Sequence, residues 1–186
     1  MKAKVKLLPF LLLVFIMLTA NCCEKDDDPQ LPPVTQTGEN TFGCLVNGEV
    51  WIPRPNLPYP KIQVVLGLNV LTNDKYLDII AYQGAASHLG FFFCEQELKE
   101  GKTINLQRTM ETKDCVDAVY MSKILDQDNI TFQIDSIHTG EFLITRLDTI
   151  EKVISGTFSF DAINKNGVIV EVRDGRFDLV IDEIQM

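Results

Sequence analysis

Five cysteines carry the most reactive side chains of this 186-residue chain. Cys22 and Cys23 are adjacent and follow an apolar segment, and a thiolate there could act as a nucleophile. Cys44, Cys94 and Cys115 lie apart, without the Cys-x-x-Cys or Cys/His spacing of zinc ligands, so we predict no metal site. In an oxidising compartment we favour a Cys94–Cys115 disulfide that closes the polar loop between them. Three unpaired buried thiols are the alternative.

Ser87 and His88 are the residues that come nearest to a hydrolytic pair. They are adjacent, and the second histidine, His138, is far away in the sequence. The chain has no nucleophile elbow and no Gly-rich phosphate loop. We therefore expect no catalytic residues, no cofactor and no enzymatic activity, with hydrolase chemistry as a minor alternative.

Three aspartates near the C-terminus resemble a carboxylate cluster. They are Asp174, Asp178 and Asp182, and in a strand Asp178 and Asp182 would share one face, opposite Phe177. We predict that this face is solvated. Calcium binding and paired-carboxylate glycoside hydrolysis are the alternatives.

Two short stretches, Asp135–Ile137 and Asp148–Ile150, match the Asp-Ser/Thr-apolar sites at which Bacteroidota O-glycosylate exported proteins. This resemblance makes Ser136 and Thr149 candidate O-glycosylation sites. Such modification requires that each residue lie on an exposed loop.

The first 21 residues have the three-part layout of a secretory signal. Lys2, Lys4 and Lys6 form a positively charged start, Leu7–Leu18 is an apolar stretch with one proline, and small or polar residues follow. The apolar stretch is shorter than the ~20 residues that a spanning helix needs. A buried core helix or a membrane anchor is the alternative.

Leu18–Asn21 directly before a cysteine resembles a bacterial lipoprotein signal. The resemblance implies removal of residues 1–21 and lipidation of Cys22, or of Cys23 if the site lies one residue later. Residues 22–40 would then be an acidic, Pro-rich tether, and Glu24–Pro29 resembles the tract that follows the lipid cysteine in surface-exported lipoproteins. We expect lipid anchoring to the outer membrane, on the periplasmic side or at the cell surface.

The formal net charge of −9 limits the classes of partner. Binding to a phosphate backbone needs clustered Lys and Arg, so we expect no nucleic acid. An acidic surface also disfavours docking on anionic lipid, so we predict that the protein contacts the membrane through its N-terminal lipid.

The elements that must position these side chains are strands. From Thr41 the apolar pattern has period two, so residues 41–186 are predicted to form a single β domain. Asn47–Gly48 and Asp174–Gly175 predict tight hairpins, and prolines between positions 53 and 60 predict a loop. A single helical turn is expected at Glu95–Glu100. We predict an all-β fold, an antiparallel β-sandwich or flattened barrel.

Three stretches resemble one family of uncharacterised Bacteroidota lipoproteins with a domain of unknown function. They are Asn40–Trp51, Ser155–Phe160 and Val172–Asp178, and the similarity extends over most of Thr41–Ile181. The resemblance implies a secreted all-β domain and supplies no catalytic residues.

Two classes of function fit these features. The first is a non-catalytic binding or adhesion module of the cell envelope, for a glycan, a peptide or a partner envelope protein. The alternative is a calycin-like carrier of a small apolar ligand. Five phenylalanines could line its cavity or fill a solid core instead: Phe91, Phe93, Phe132, Phe158 and Phe160.

Overall fold

The computed structural model of the chain describes residues 30–55, 60–68, 75–94, 97–109, 115–122 and 130–185. Leu31–Met186 forms a compact unit. The predicted signal and residues 22–29 of the tether, Cys22 and Cys23 among them, lie outside the described residues, so lipidation stays a prediction. None of the described residues belongs to a helix long and apolar enough to span a bilayer.

The described residues form twelve strands and no helix, as predicted for an all-β fold. The strands are β1 Thr41–Val46, β2 Glu49–Trp51, β3 Ile62–Leu68, β4 Lys75–Gln83, β5 Ser87–Cys94, β6 Thr103–Leu106, β7 Val116–Ser122, β8 Ile130–Gln133, β9 Gly140–Asp148, β10 Val153–Ile163, β11 Ile169–Val180 and β12 Glu183–Gln185.

These strands join in one open mixed sheet in the order β12-β3-β4-β5-β7-β8-β10-β11-β1-β2, with β9 on β10 and β6 on β9. The β12–β3 pair is parallel, whereas the other strand pairs are antiparallel. The sheet folds over itself, because the Phe91 ring on β5 lies 5.0 Å from that of Phe142 on β9 and 4.8 Å from that of Phe158 on β10. This arrangement is consistent with a sandwich or flattened barrel.

Phenylalanine rings fill the space between the facing strands. Phe91, Phe93, Phe158 and Phe160 are each at most 4% exposed. Phe91 also contacts Phe160 at 5.8 Å. Burial of each such side chain contributes about 1.5–3 kcal/mol, so this cluster is a main source of stability. Phe132, in contrast, is only half-buried.

The Asn47–Gly48 hairpin is confirmed. It joins β1 to β2, and both residues have positive φ, 51° and 84°, as a type I′ turn requires. The described part of the proline-rich stretch after Trp51 lies outside the strands, as predicted, apart from a bridge between Arg54 and Gln83.

The hairpin predicted at Asp174–Gly175 is wrong. Both residues lie inside the continuous strand β11, where they form a bulge opposite β1 and β10. Asp174 has a φ of 51° there. A Cβ on Gly175 would lie 2.4 Å from the Phe158 ring, so the glycine lets β11 pass close over that ring. An Asx-Gly pair suits a bulge as well as a turn, and the long ladder with β10 selects the bulge.

The helical turn expected at Glu95–Glu100 is also not found in its described part, residues 97–100. A reverse turn forms instead, closed by the Lys102 N–H, which donates to the Lys99 carbonyl at 3.2 Å. Gly101 has positive φ in this turn. One helical turn gains too few hydrogen bonds to offset its nucleation cost, whereas a tight turn requires no nucleation.

Residues 31–40, which we call the strap, were predicted to be part of an extended tether. The strap is extended, but it is held against β11. The Asp178 carboxylate accepts hydrogen bonds from the N–H groups of Thr37, Gly38 and Glu39 at 2.8–3.2 Å. The Asn40 side chain accepts from the N–H of Val180 at 3.0 Å.

Asp178 is therefore not on a solvated face, contrary to the sequence prediction. It is 1% exposed and also accepts a hydrogen bond from Ser155 Oγ at 2.7 Å. Burial raises the pKa of this carboxyl, but the hydrogen bonds from Ser155, Gly38 and Thr37 outweigh burial and lower the pKa to about 2. Asp174 and Asp182 are exposed, and Asp182 accepts from the N–H of Val64. Asp178 and Asp182 thus accept hydrogen bonds from backbone N–H groups, whereas Asp174 faces water. The three carboxylates do not form a common metal site.

Candidate functional site

A groove of about 460 Å³ opens beside the β1–β2 hairpin, and we call it the hairpin groove. The hairpin supplies one set of lining residues, β7 and β8 supply another, and Gln83 and Val170 complete it. The residues that line it are Val46, Asn47, Glu49, Val50, Trp51, Gln83, Tyr120, Ser122, Ile130, Phe132 and Val170. Its size falls within the range of small-ligand sites.

Trp51 fixes the inner side of the groove. It is 3% exposed, because the tight turn at Asn47–Gly48 folds β2 back on β1 and directs the indole inward. Its Nε1–H donates to Ser87 Oγ at 2.9 Å, and Ser87 Oγ donates in turn to Gln83 Oε1 at 3.1 Å. This chain of hydrogen bonds satisfies the buried indole and holds it in one orientation.

Tyr120 and Phe132 form an aromatic wall of the groove. They are cross-strand partners on β7 and β8, and their ring centroids are 6.0 Å apart. Both side chains are half-buried, so part of each ring remains open to a ligand. Two adjacent rings on paired strands make a rigid apolar platform, since neither strand can shift without breaking the pairing.

The described lining of the hairpin groove carries one charge, which is negative. Glu49 is exposed and is the charged residue of the lining, which contains no Lys, Arg or His among the described residues. Asn47, Gln83 and Ser122 add neutral polar groups. The lining therefore disfavours an anion and offers both an apolar surface and hydrogen-bonding groups.

The Ser87–His88 pair does not form a hydrolytic site. The two residues are neighbours on β5, so their side chains point to opposite faces: Ser87 is buried under Trp51, and His88 lies on the outer face beside the Tyr82 ring. His138 instead pairs with Asp135, with Nδ1 3.1 Å from the carboxylate. In the described ranges no three His, Cys, Asp or Glu side chains gather closely enough to hold a metal ion.

The structure holds Cys94 and Cys115 in a disulfide, the pairing that the sequence analysis favoured. It links the end of β5 to the residue before β7. Cys44 is a free, buried thiol, and burial raises its pKa to about 12. A thiol in that state is a poor nucleophile at neutral pH, so Cys44 is a core residue.

Ser136 and Thr149, the candidate O-glycosylation sites, lie exposed in two turns of the same design. In each turn the preceding aspartate, Asp135 or Asp148, accepts hydrogen bonds from the N–H groups two and three residues further on, at 2.6–3.0 Å. These Asx turns leave Ser136 and Thr149 at the surface. Modification of either residue stays a prediction.

A scan against protein-family models finds no match, and searches of curated proteins and of solved structures find none either. The resemblance to Bacteroidota lipoproteins thus remains an expectation from the sequence. The hairpin groove was not predicted, because its lining comes from four distant parts of the chain. The signals that could have pointed to it are the single tryptophan beside an Asn-Gly turn and the alternation of Ile130 and Phe132.

Proposed function

We propose that this chain is an outer-membrane lipoprotein whose β domain is a non-catalytic binding module, and that the hairpin groove holds its ligand. The observation that carries this proposal is the pairing of an open aromatic wall with neutral polar groups in one groove of about 460 Å³. The lipid anchor rests on the sequence features around Cys22 and Cys23.

The chemistry of the lining favours a neutral glycan as the ligand. A sugar ring has an apolar face that can stack on Tyr120 or Phe132 and hydroxyl groups that can bond to Ser122 or Glu49. A phosphate or an acidic sugar would meet Glu49 without a compensating cation. A purely aliphatic ligand would bury the polar groups of the lining without partners, which costs free energy.

The alternative, a calycin-like carrier, needs an apolar cavity in the interior. Phe91, Phe93, Phe158 and Phe160 instead contact other rings in the core at centroid distances of 4.8–6.4 Å. Phe132 is the one member of the predicted five that lines the groove. This packing supports the binding module over the carrier.

Trp51 is the single tryptophan of the chain and lines the groove, so its fluorescence can report ligand binding. Titration of the full chain with neutral oligosaccharides should change Trp51 emission saturably, and Tyr120→Ala should weaken binding at least tenfold. The matched control is Phe92→Ala, an aromatic truncation on the outer face of β5, which should leave affinity unchanged. Binding of acidic sugars or fatty acids alone would overturn the glycan assignment.

Anchoring is tested separately by metabolic labelling with an alkyne fatty acid. Wild-type chain should be labelled, and one of Cys22→Ala and Cys23→Ala should abolish the label, which identifies the site. An unlabelled wild-type chain would exclude the lipoprotein assignment and leave the groove assignment standing.

A further inference from the structure

The outer face of β4, β5 and β7 combines apolar side chains with three titratable ones, Asp78, His88 and Asp117. Antiparallel sheets usually present polar side chains on the face opposite the core. Here the strand alternation places Ile80, Tyr82, Phe92, Val119 and Met121 on that outer face. Phe92 is 37% exposed and the others are half-buried at the surface. Apolar side chains clustered on an outer face favour an interaction surface there.

Gly90 leaves the middle of this face without a side chain. Its cross-strand partners are Ile80 on β4 and Val119 on β7. Its φ is not positive, and a Cβ built on it would lie 3.8 Å from its nearest neighbour, an ordinary contact. Neither backbone conformation nor internal packing therefore requires a glycine, although glycine weakens a strand interior. Apart from its chain neighbours, only the Ile79 carbonyl oxygen and Ile80 Cγ1 of the described residues lie within 4 Å of that Cβ position, so a gap remains between the flanking side chains, and we call it the hollow.

Two carboxylates flank the hollow. Asp78 and Asp117 are the cross-strand partners of Phe92, so each is a diagonal neighbour of Gly90, at about 7–8 Å between Cα atoms. Asp117 lies 3.8 Å from Arg108 and accepts from Gln133, whereas Asp78 has no ion pair among the described residues. Burial raises the pKa of Asp78, and burial, partly offset by Arg108, raises the pKa of Asp117. A cation placed here would stabilise both charged forms.

We propose that the hollow at Gly90 is a docking site for a lysine or arginine side chain of a partner protein. The aliphatic stem packs over Gly90 between Ile80 and Val119, and the charged head reaches Asp78. The net charge of −9 favours approach of a basic partner. A second copy of this chain is the wrong partner, because two such faces would bring like carboxylates together.

The test is fluorescence anisotropy of a labelled seven-residue peptide with a central arginine between two valines, titrated with the full chain. Its twin carries citrulline, which has the same shape without the charge. We expect the arginine peptide to bind at least tenfold more tightly than the citrulline peptide, and to lose most of this advantage at 0.5 M salt. Absence of binding, or equal binding of the twins, would overturn the proposal.

Gly90→Val fills the hollow with a side chain that suits a strand, and it should reduce affinity for the arginine peptide at least tenfold. Ser159→Val is the matched control, because it makes a similar addition on the outer face of β10. It should not change the affinity. Urea midpoints of both variants verify folding, and Asp78→Asn gives an independent measurement if Gly90→Val does not fold. Full affinity in Asp78→Asn, or dimerisation in place of peptide binding, would contradict the proposed docking mode.

Discussion

Replacement of Asp178 by asparagine removes the buried charge that holds the strap to β11. The carboxylate accepts three backbone N–H groups and the Ser155 hydroxyl, and an amide cannot accept all four because its own NH₂ group faces donors. The shift in pKa from 3.8 to about 2 corresponds to about 2 kcal/mol of folding free energy. With unpaired donors added, we expect Asp178→Asn to lose about 2–4 kcal/mol.

The lowered pKa of Asp178 determines how its contribution to the unfolding free energy changes with pH. The folded-state pKa lies below the unfolded value, so the contribution of Asp178 is complete above about pH 4 and is lost as pH falls towards 2. Urea unfolding, followed by Trp51 fluorescence from pH 6 to pH 2.5, should show a difference between wild type and Asp178→Asn that shrinks with acid. At neutral pH the melting temperature should fall by about 5–10 °C.

Asp174→Asn is the matched control, since it makes the same chemical change on the same strand at an exposed residue whose positive φ asparagine tolerates. It should change the unfolding free energy by less than about 0.5 kcal/mol. A loss below about 0.5 kcal/mol in Asp178→Asn, or a loss independent of pH, would refute the reasoning, because it would mean that water replaces the carboxylate at little cost.

Three further predictions concern stability and reactivity. Gly175→Ala should destabilise the fold by about 2 kcal/mol or more in urea, since its Cβ would lie 2.4 Å from the Phe158 ring; Gly48→Asn, at a turn that tolerates asparagine, is the control. Joint replacement of Cys94 and Cys115 by serine should cost about 3 kcal/mol for a loop of 21 residues, and an unchanged urea midpoint would count against the disulfide. Cys44 should resist iodoacetamide at pH 8 until the chain is unfolded in urea, and rapid labelling of Cys44 itself in the native protein, located by peptide mass spectrometry, would contradict its burial.

The sequence predicts the fold class because period-two patterning and turn residues act locally. It does not distinguish the two Asx-Gly pairs, which have different structures. Asn47–Gly48 lies between β1 and β2, and β2 is a three-residue strand that pairs with β1, so a hairpin results. Asp174–Gly175 lies where Phe158 needs a glycine against its ring, so β11 continues through a bulge. That requirement comes from β10 and is invisible in the local sequence.

The burial of Asp178 and the hairpin groove were missed for the same physical reason. Strand alternation places Asp178 opposite Phe177 and so suggests that it faces water. It is covered by the strap, which is separated from it by about 140 positions in the chain. The groove likewise combines Trp51 with Tyr120 and Phe132, and only the folded sheet brings these together. The Cys94–Cys115 pairing was favoured from the sequence because two thiols at the ends of one loop need little tertiary information.

The strap also determines how the domain responds to mechanical load. Tension applied at the N-terminus first loads the hydrogen bonds of the Pro32 and Gln36 carbonyls with Arg176 and Arg146, and then those that hold residues 37–40 to β11, before it reaches β1. The contacts of Asp178 and Asn40 are therefore the last strap contacts before β1, and detachment of the whole strap would add about ten extended residues, roughly 30 Å, before any strand is pulled. In the lipid-anchored protein that we propose, this slack would let the domain yield to tension at its anchor while the hairpin groove stays intact.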